Sequence, residues 1–106
     1  MIRGTTPTHV FSKLPVLSVE IQEIWITYLQ GGKTVLTRDK STVTFTDDTT
    51  EETCTATIKL TQEETLKFTS GPASVQLRLL LTDNTAFASD EVPLTVKRII
   101  HDGKIE

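Results

Sequence analysis

The stretch T-C-T-A-T-I-K-L-T-Q-E-E-T-L-K-F, Thr53 to Phe68, states a strand, a stop and a corner in sixteen residues. Cys54, Ala56, Ile58 and Leu60 alternate with Thr53, Thr55, Thr57 and Lys59, so a period-two strand carries one apolar and one hydroxyl-bearing face. At Thr61 the pattern changes to T-x-x-E. Thr61 can accept from the Glu64 backbone N–H while the Glu64 carboxylate accepts from the Thr61 N–H, a capping box that predicts one helical turn near residues 62–66. Leu66 and Phe68 then return apolar weight to the interior. The stretch reads as a strand that ends, crosses between two sheets over a helical turn and hands over to the next strand.

The flanking sequence extends this pattern in both directions. Downstream, Ser70-Gly71-Pro72 marks a turn, and Val75, Leu77, Leu79 and Leu81 form one face of the strongest core strand. Asp83-Asn84 can close a tight hairpin to Ala86–Ser89, because both side chains tolerate left-handed backbone. Pro93 argues for an edge start or a bulge before the alternating Leu94, Val96 and Arg98. Upstream, His9-Val10-Phe11 begin a short edge strand or arm closed by Pro15. In Glu20 to Gln30, Ile24, Ile26 and Tyr28 share one face while Trp25 and Leu29 take the other. That second face is either partly roofed by loops or meets another subunit. Gly31-Gly32 supplies the positive φ of a two-residue hairpin turn, Val43 and Phe45 point inward, and Thr46 to Glu52 reads as an acidic turn. Short strands at this spacing predict an all-β fold, an immunoglobulin-like antiparallel β-sandwich of about seven strands.

The 106 residues make one domain, 1–106, with residues 1–8 expected as a flexible arm and 101–106 as a loose tail. Threonine alone accounts for 20 positions, a β-branched excess that favours strands over helices. A net charge of -3 with scattered Lys and Arg gives no basic footprint for nucleic acid. No run of 18 apolar residues occurs, so no membrane partner is expected, and the N-terminus lacks a signal-peptide pattern. Synthesis and retention in the cytoplasm, unless the chain leaves within an assembly, is the corresponding expectation.

No constellation points to catalysis, a metal or a cofactor. Asp47, Asp48, Glu51 and Glu52 lack the spacing and glycine of a calcium loop and read as a solvated turn. Asp90 and Glu91, adjacent on a strand, would face opposite ways and cannot act as an acid and base pair. His9 and His101 stand at opposite ends without zinc-ligand spacing. Cys54 lies on an apolar face and reads as an inert buried thiol. An enzyme is therefore not expected. The apolar residues left over are Trp25, Leu29, Leu80, Ile99 and Val10, which suit an interface, and edge strands offer strand addition as its means. Exposed aromatic platforms for glycan binding are few.

Four motifs carry a resemblance: R-G-T-T-P-T at Arg3–Thr8, L-T-Q-E-E-T-L-K-F at Leu60–Phe68, V-Q-L-R at Val75–Arg78, and V-K-R-I-I-H-D-G-K-I at Val96–Ile105. On these the chain resembles small proteins encoded among the virion structural genes of phages and prophages of Gram-positive gut bacteria. More distantly it is similar to the immunoglobulin-like N-terminal domain of phage upper baseplate proteins. The resemblance implies a virion structural accessory protein, tail or baseplate associated, that docks to other virion proteins or to itself. It brings no catalytic residue, and it places the protein in the host cytoplasm during assembly and then in the virion. A glycan- or receptor-binding module is the alternative.

Overall fold

The computed structural model describes residues 1–101 and 103–105, and these form two antiparallel β-sheets packed as a sandwich. The narrow sheet has the order β1-β5-β4, from β1 (Thr8–Leu14), β4 (Thr44–Asp48) and β5 (Thr53–Lys59). The wide sheet runs β3-β2-β6 and ends in a fourth column shared by two short strands. Its members are β2 (Ile21–Gln30), β3 (Lys33–Arg38), β6 (Gly71–Leu81), β7 (Ala86–Ala88) and β8 (Val92–Val96). Both β7 and β8 pair with β6, β7 along Arg78–Leu80 and β8 along Gly71–Val75. The stretches expected at Ala86–Ser89 and from Pro93 onward thus share one column, separated by Ser89–Glu91, and the described residues form eight strands where about seven were expected.

The period-two faces account for the core. Cys54, Ala56, Ile58 and Leu60 of the narrow sheet meet Ile24, Ile26 and Tyr28 of β2 and Val75, Leu77, Leu79 and Leu81 of β6, all of them buried. Val43 and Phe45 are partly buried against the same cluster. The hairpin at Gly31 and Gly32 has φ of 61° and 76°, which glycine adopts without a Cβ penalty. The second hairpin closes one residue wider than a two-residue turn: Leu81 N–H donates to Thr85, and Asn84 takes the left-handed position at φ 68°.

The crossover from β5 to β6 is made by the single turn α1 (Gln62–Thr65). Thr61 Oγ1 accepts from Glu64 N–H at 3.1 Å and Glu64 Oε1 accepts from Thr61 N–H at 2.9 Å, completing the capping box. Arg38 Nη1 donates to the same Oε1 at 2.6 Å. Glu64 therefore joins the corner to β3 of the opposite sheet. Thr65, fully buried, donates its hydroxyl to the Thr5 carbonyl.

Three local expectations differ from what is observed. The acidic run begins inside β4 and not after it, because Asp47 and Asp48 pair with Cys54 and Thr53 while Asp47 accepts from the Ser18 N–H and hydroxyl at 2.7 Å each. The segment expected as an arm is held. Met1 and Arg3 exchange backbone hydrogen bonds with Thr95 and Lys97 beside β8, and the Arg3 guanidinium donates to the Leu66 and Phe68 carbonyls. Within the expected loose tail, Lys104 pairs with Glu63 at 2.7 Å and Ile105 bonds the Gln62 side chain, whereas Asp102 and Glu106 lie outside the described residues.

Thr61→Ala removes one half of the capping box and is expected to destabilise the protein by about 1 kcal/mol. Glu64→Ala, which also leaves Arg38 without its carboxylate, costs more than Thr61→Ala. Leu79→Ala costs about 2–5 kcal/mol, since it empties core volume. Urea unfolding measures all three as shifts of midpoint at constant slope. A Thr61→Ala protein as stable as the parent would show that the cap does not secure the corner.

Candidate functional site

Directly paired residues in an antiparallel ladder share a face. Val92 pairs with Val75 and Phe87 with Leu79, so both side chains belong to the inward face of the wide sheet. Their partners are buried, at 5% and 4% exposure, yet Val92 is 48% and Phe87 42% exposed. The reason is width. Four columns of the wide sheet face three strands, and the column of β7 and β8 has no strand above it.

A cleft of about 350 Å³ follows, walled by Thr8–Phe11 of β1 and floored by Val75, Val92 and Leu94. The free edge of β1 borders it. Pro7 C=O accepts from Leu60 N–H at 2.9 Å, which continues the β1–β5 ladder one residue beyond Thr8↔Lys59. Hydrogen-bonded pairs alternate along such a ladder. They therefore fall at His9↔Ile58 and Phe11↔Ala56. The N–H and C=O groups of Thr8 and Val10 point away from β5, toward the side where the cleft opens.

Behind this wall His9 Nδ1 shares a hydrogen bond with the Tyr28 hydroxyl, and Tyr28 stacks edge-on against Phe68 at 5.9 Å. Burial, and secondarily the positive amino terminus, holds the His9 pKa below its ordinary value. Burial likewise raises the Tyr28 phenol. Cys54 is buried, and its thiol pKa is pushed up by burial and then by the Asp47 carboxylate, which keeps it protonated and unreactive.

The residues expected at an interface fall in three places. Trp25, 44% exposed, and Leu80 lie diagonally across β2 and β6 on the outer face of the wide sheet, beside Arg78, around a hollow of about 190 Å³. Leu29 shares that face, four register pairs farther along and beyond Thr27 and Gln76, next to the Gly31-Gly32 turn. Val10, 59% exposed, is on the β1 wall of the cleft. Ile99 is instead packed into the N-terminal segment, with its Cδ1 only 2.9 Å from where a side chain on Gly4 would begin. Sequence reasoning missed Val92 and Phe87. Val92 alternates with Leu94 and Val96 and reads as ordinary core, and nothing local says that the facing sheet stops short. No protein-family model matches the chain, and no curated protein is significantly similar to it in sequence.

The folded His9 pKa lies below the unfolded value of about 6.5, so the unfolded chain binds more protons in the window beneath it. Stability from this site is complete above about pH 6.5 and declines as pH falls through that value toward the folded pKa. Urea midpoints between pH 8 and 5 check this: the parent should hold level and then fall, and His9→Asn should flatten the fall. An unchanged fall in His9→Asn would assign it to other groups.

Proposed function

We propose that this protein is a structural accessory protein of a phage or prophage virion, associated with tail or baseplate, whose work is docking to other virion proteins. The observation that carries the docking is the uncovered column: inward-facing Val92 and Phe87 stay about half exposed on a sheet whose other columns are roofed. A folded chain that leaves core-type side chains unroofed gains by burying them against something else. The Trp25–Leu80 pair on the outer face adds a second apolar spot flanked by Glu23 and Arg78, the composition of a small interface centre. The assignment to a virion rests on the four sequence motifs at Arg3–Thr8, Leu60–Phe68, Val75–Arg78 and Val96–Ile105.

The strand order supports an immunoglobulin-like reading of the sandwich. Orders β1-β5-β4 and β3-β2-β6-β7/β8 correspond to strands B-E-D facing C′-C-F-G, and among the described residues no strand A pairs with the edge of B. The polar groups that could suggest chemistry have structural partners: Glu64 serves Thr61 and Arg38, Asp47 serves Ser18, and His9 serves Tyr28.

Co-expression with each protein encoded beside its gene, followed by size-exclusion chromatography with light scattering, tests the proposal. At least one neighbour-encoded structural protein should co-elute with it as a defined complex. Elution as an 11.8 kDa monomer beside every one of them, together with retention on a glycan array that Trp25→Ser abolishes, would replace this reading with a receptor-binding one.

A further inference from the structure

The cleft between β1 and β8 has the features of a place for one strand. Its floor is apolar, with Val75, Val92 and Leu94 presented from the wide sheet. Its wall offers the outward N–H and C=O groups of Thr8 and Val10, a repeat of two residues that only an extended backbone matches.

The edges of the sandwich also differ in how they are guarded. Native sheets blunt edges with charges, proline, bulges or brevity. β4 carries Asp47 and Asp48, β3 carries Lys33 and Arg38, β8 contains Pro93, and β7 is three residues long. The second half of β1 is bulged between Phe11 and Leu14, with Lys13 in the left-handed region at φ 57°. The first half, Thr8–Phe11, has none of these devices, and it is the half that borders the cleft.

We propose that Thr8–Phe11, with the floor of Val75, Val92 and Leu94, receives an extended segment of a different polypeptide as a fourth strand of the narrow sheet. This rests on the docking reading and specifies its mode. The segment carries apolar side chains at alternate positions over about five residues, facing the floor, and has no proline where it meets the Thr8 and Val10 groups. A second copy of this chain fits poorly. Pairing β1 with its own equivalent about a two-fold axis would align two narrow sheets in one layer. The two β7/β8 columns, each projecting one strand beyond its own β1, would then compete for one place in the other layer.

Val10→Pro is the discriminating variant. It deletes an outward N–H without touching the ladder to β5, at an exposed edge position. A displayed library of random twelve-residue peptides is selected on the immobilised parent chain, and the enriched peptides are synthesised. The expected result is alternating apolar sequences that bind the parent at least about tenfold tighter than Val10→Pro, a loss also given by Val92→Asp and not by Trp25→Ser. Urea midpoints confirm that each variant is folded, and Val92→Asp carries the test should Val10→Pro not be. Failure to enrich any alternating peptide, or equal binding to Val10→Pro and Val92→Asp, overturns the proposal. If a neighbour-encoded protein still binds and Trp25→Ser abolishes that complex, the docking reading stands and strand addition falls. A homodimer that Val10→Pro abolishes would identify the occupant as a second copy and overturn the assignment to another polypeptide.

Discussion

A sheet four columns wide cannot be covered by a sheet of three strands, and this mismatch decides where the molecule is unfinished. Apolar side chains on the inward face of the wide sheet are buried where the narrow sheet passes over them; in the β7/β8 column Val96 is still buried at the end of β8, whereas Val92 and Phe87 are about half exposed. On the β3 side Leu36 is buried beside its partner Tyr28, whereas on the far side of β6 Val92 and Phe87 are left open. The missing cover is one strand wide and borders the free edge of β1. Exposed backbone and exposed apolar surface therefore coincide, which is the combination a strand-shaped partner can satisfy in one step.

The offset between the sheets is set by a few contacts that cross between them. Tyr28 of β2 reaches His9 of β1 through its hydroxyl and packs its ring against Phe68, just beyond the corner. Arg38 of β3 reaches Glu64 at the start of α1, and Glu64 in turn closes the cap on Thr61. These ties hold the β3 side of the wide sheet to the corner that follows β5. At the opposite side the Met1–Arg3 backbone bonds to the end of β8, around Thr95 and Lys97, while Val92 stays about half exposed. Side-chain chemistry near the corner thus fixes which column goes without a roof.

Much of this was legible in the chain because period-two alternation and turn chemistry act locally. Cys54 to Leu60, Val75 to Leu81, the glycine hairpin and the Thr61–Glu64 cap are each contained within a dozen residues, and each forms as the pattern implies. What escaped the sequence is pairing at a distance. Nothing near Asp47 points to Ser18, nothing near Arg38 points to Glu64, and Ile99 reads as spare until Gly4 is found against it. The cleft is the strongest case. Val92 and Leu94 obey the same alternation as buried core residues, and their exposure depends on how many strands the other sheet contributes. Similarly, the outward direction of the Val10 backbone depends on ladder phase, which the register with β5 sets.

Residue-resolved amide hydrogen exchange of the isolated chain tests the unfilled edge most directly. If β1 ends its sheet as described, the amides of His9 and Phe11, bonded to β5, should be protected. The amides of Thr8 and Val10, which alternate with them, should exchange far faster, giving an alternating pattern over four residues. Equal protection of all four would contradict the account, since it would mean that a strand already covers the β1 edge.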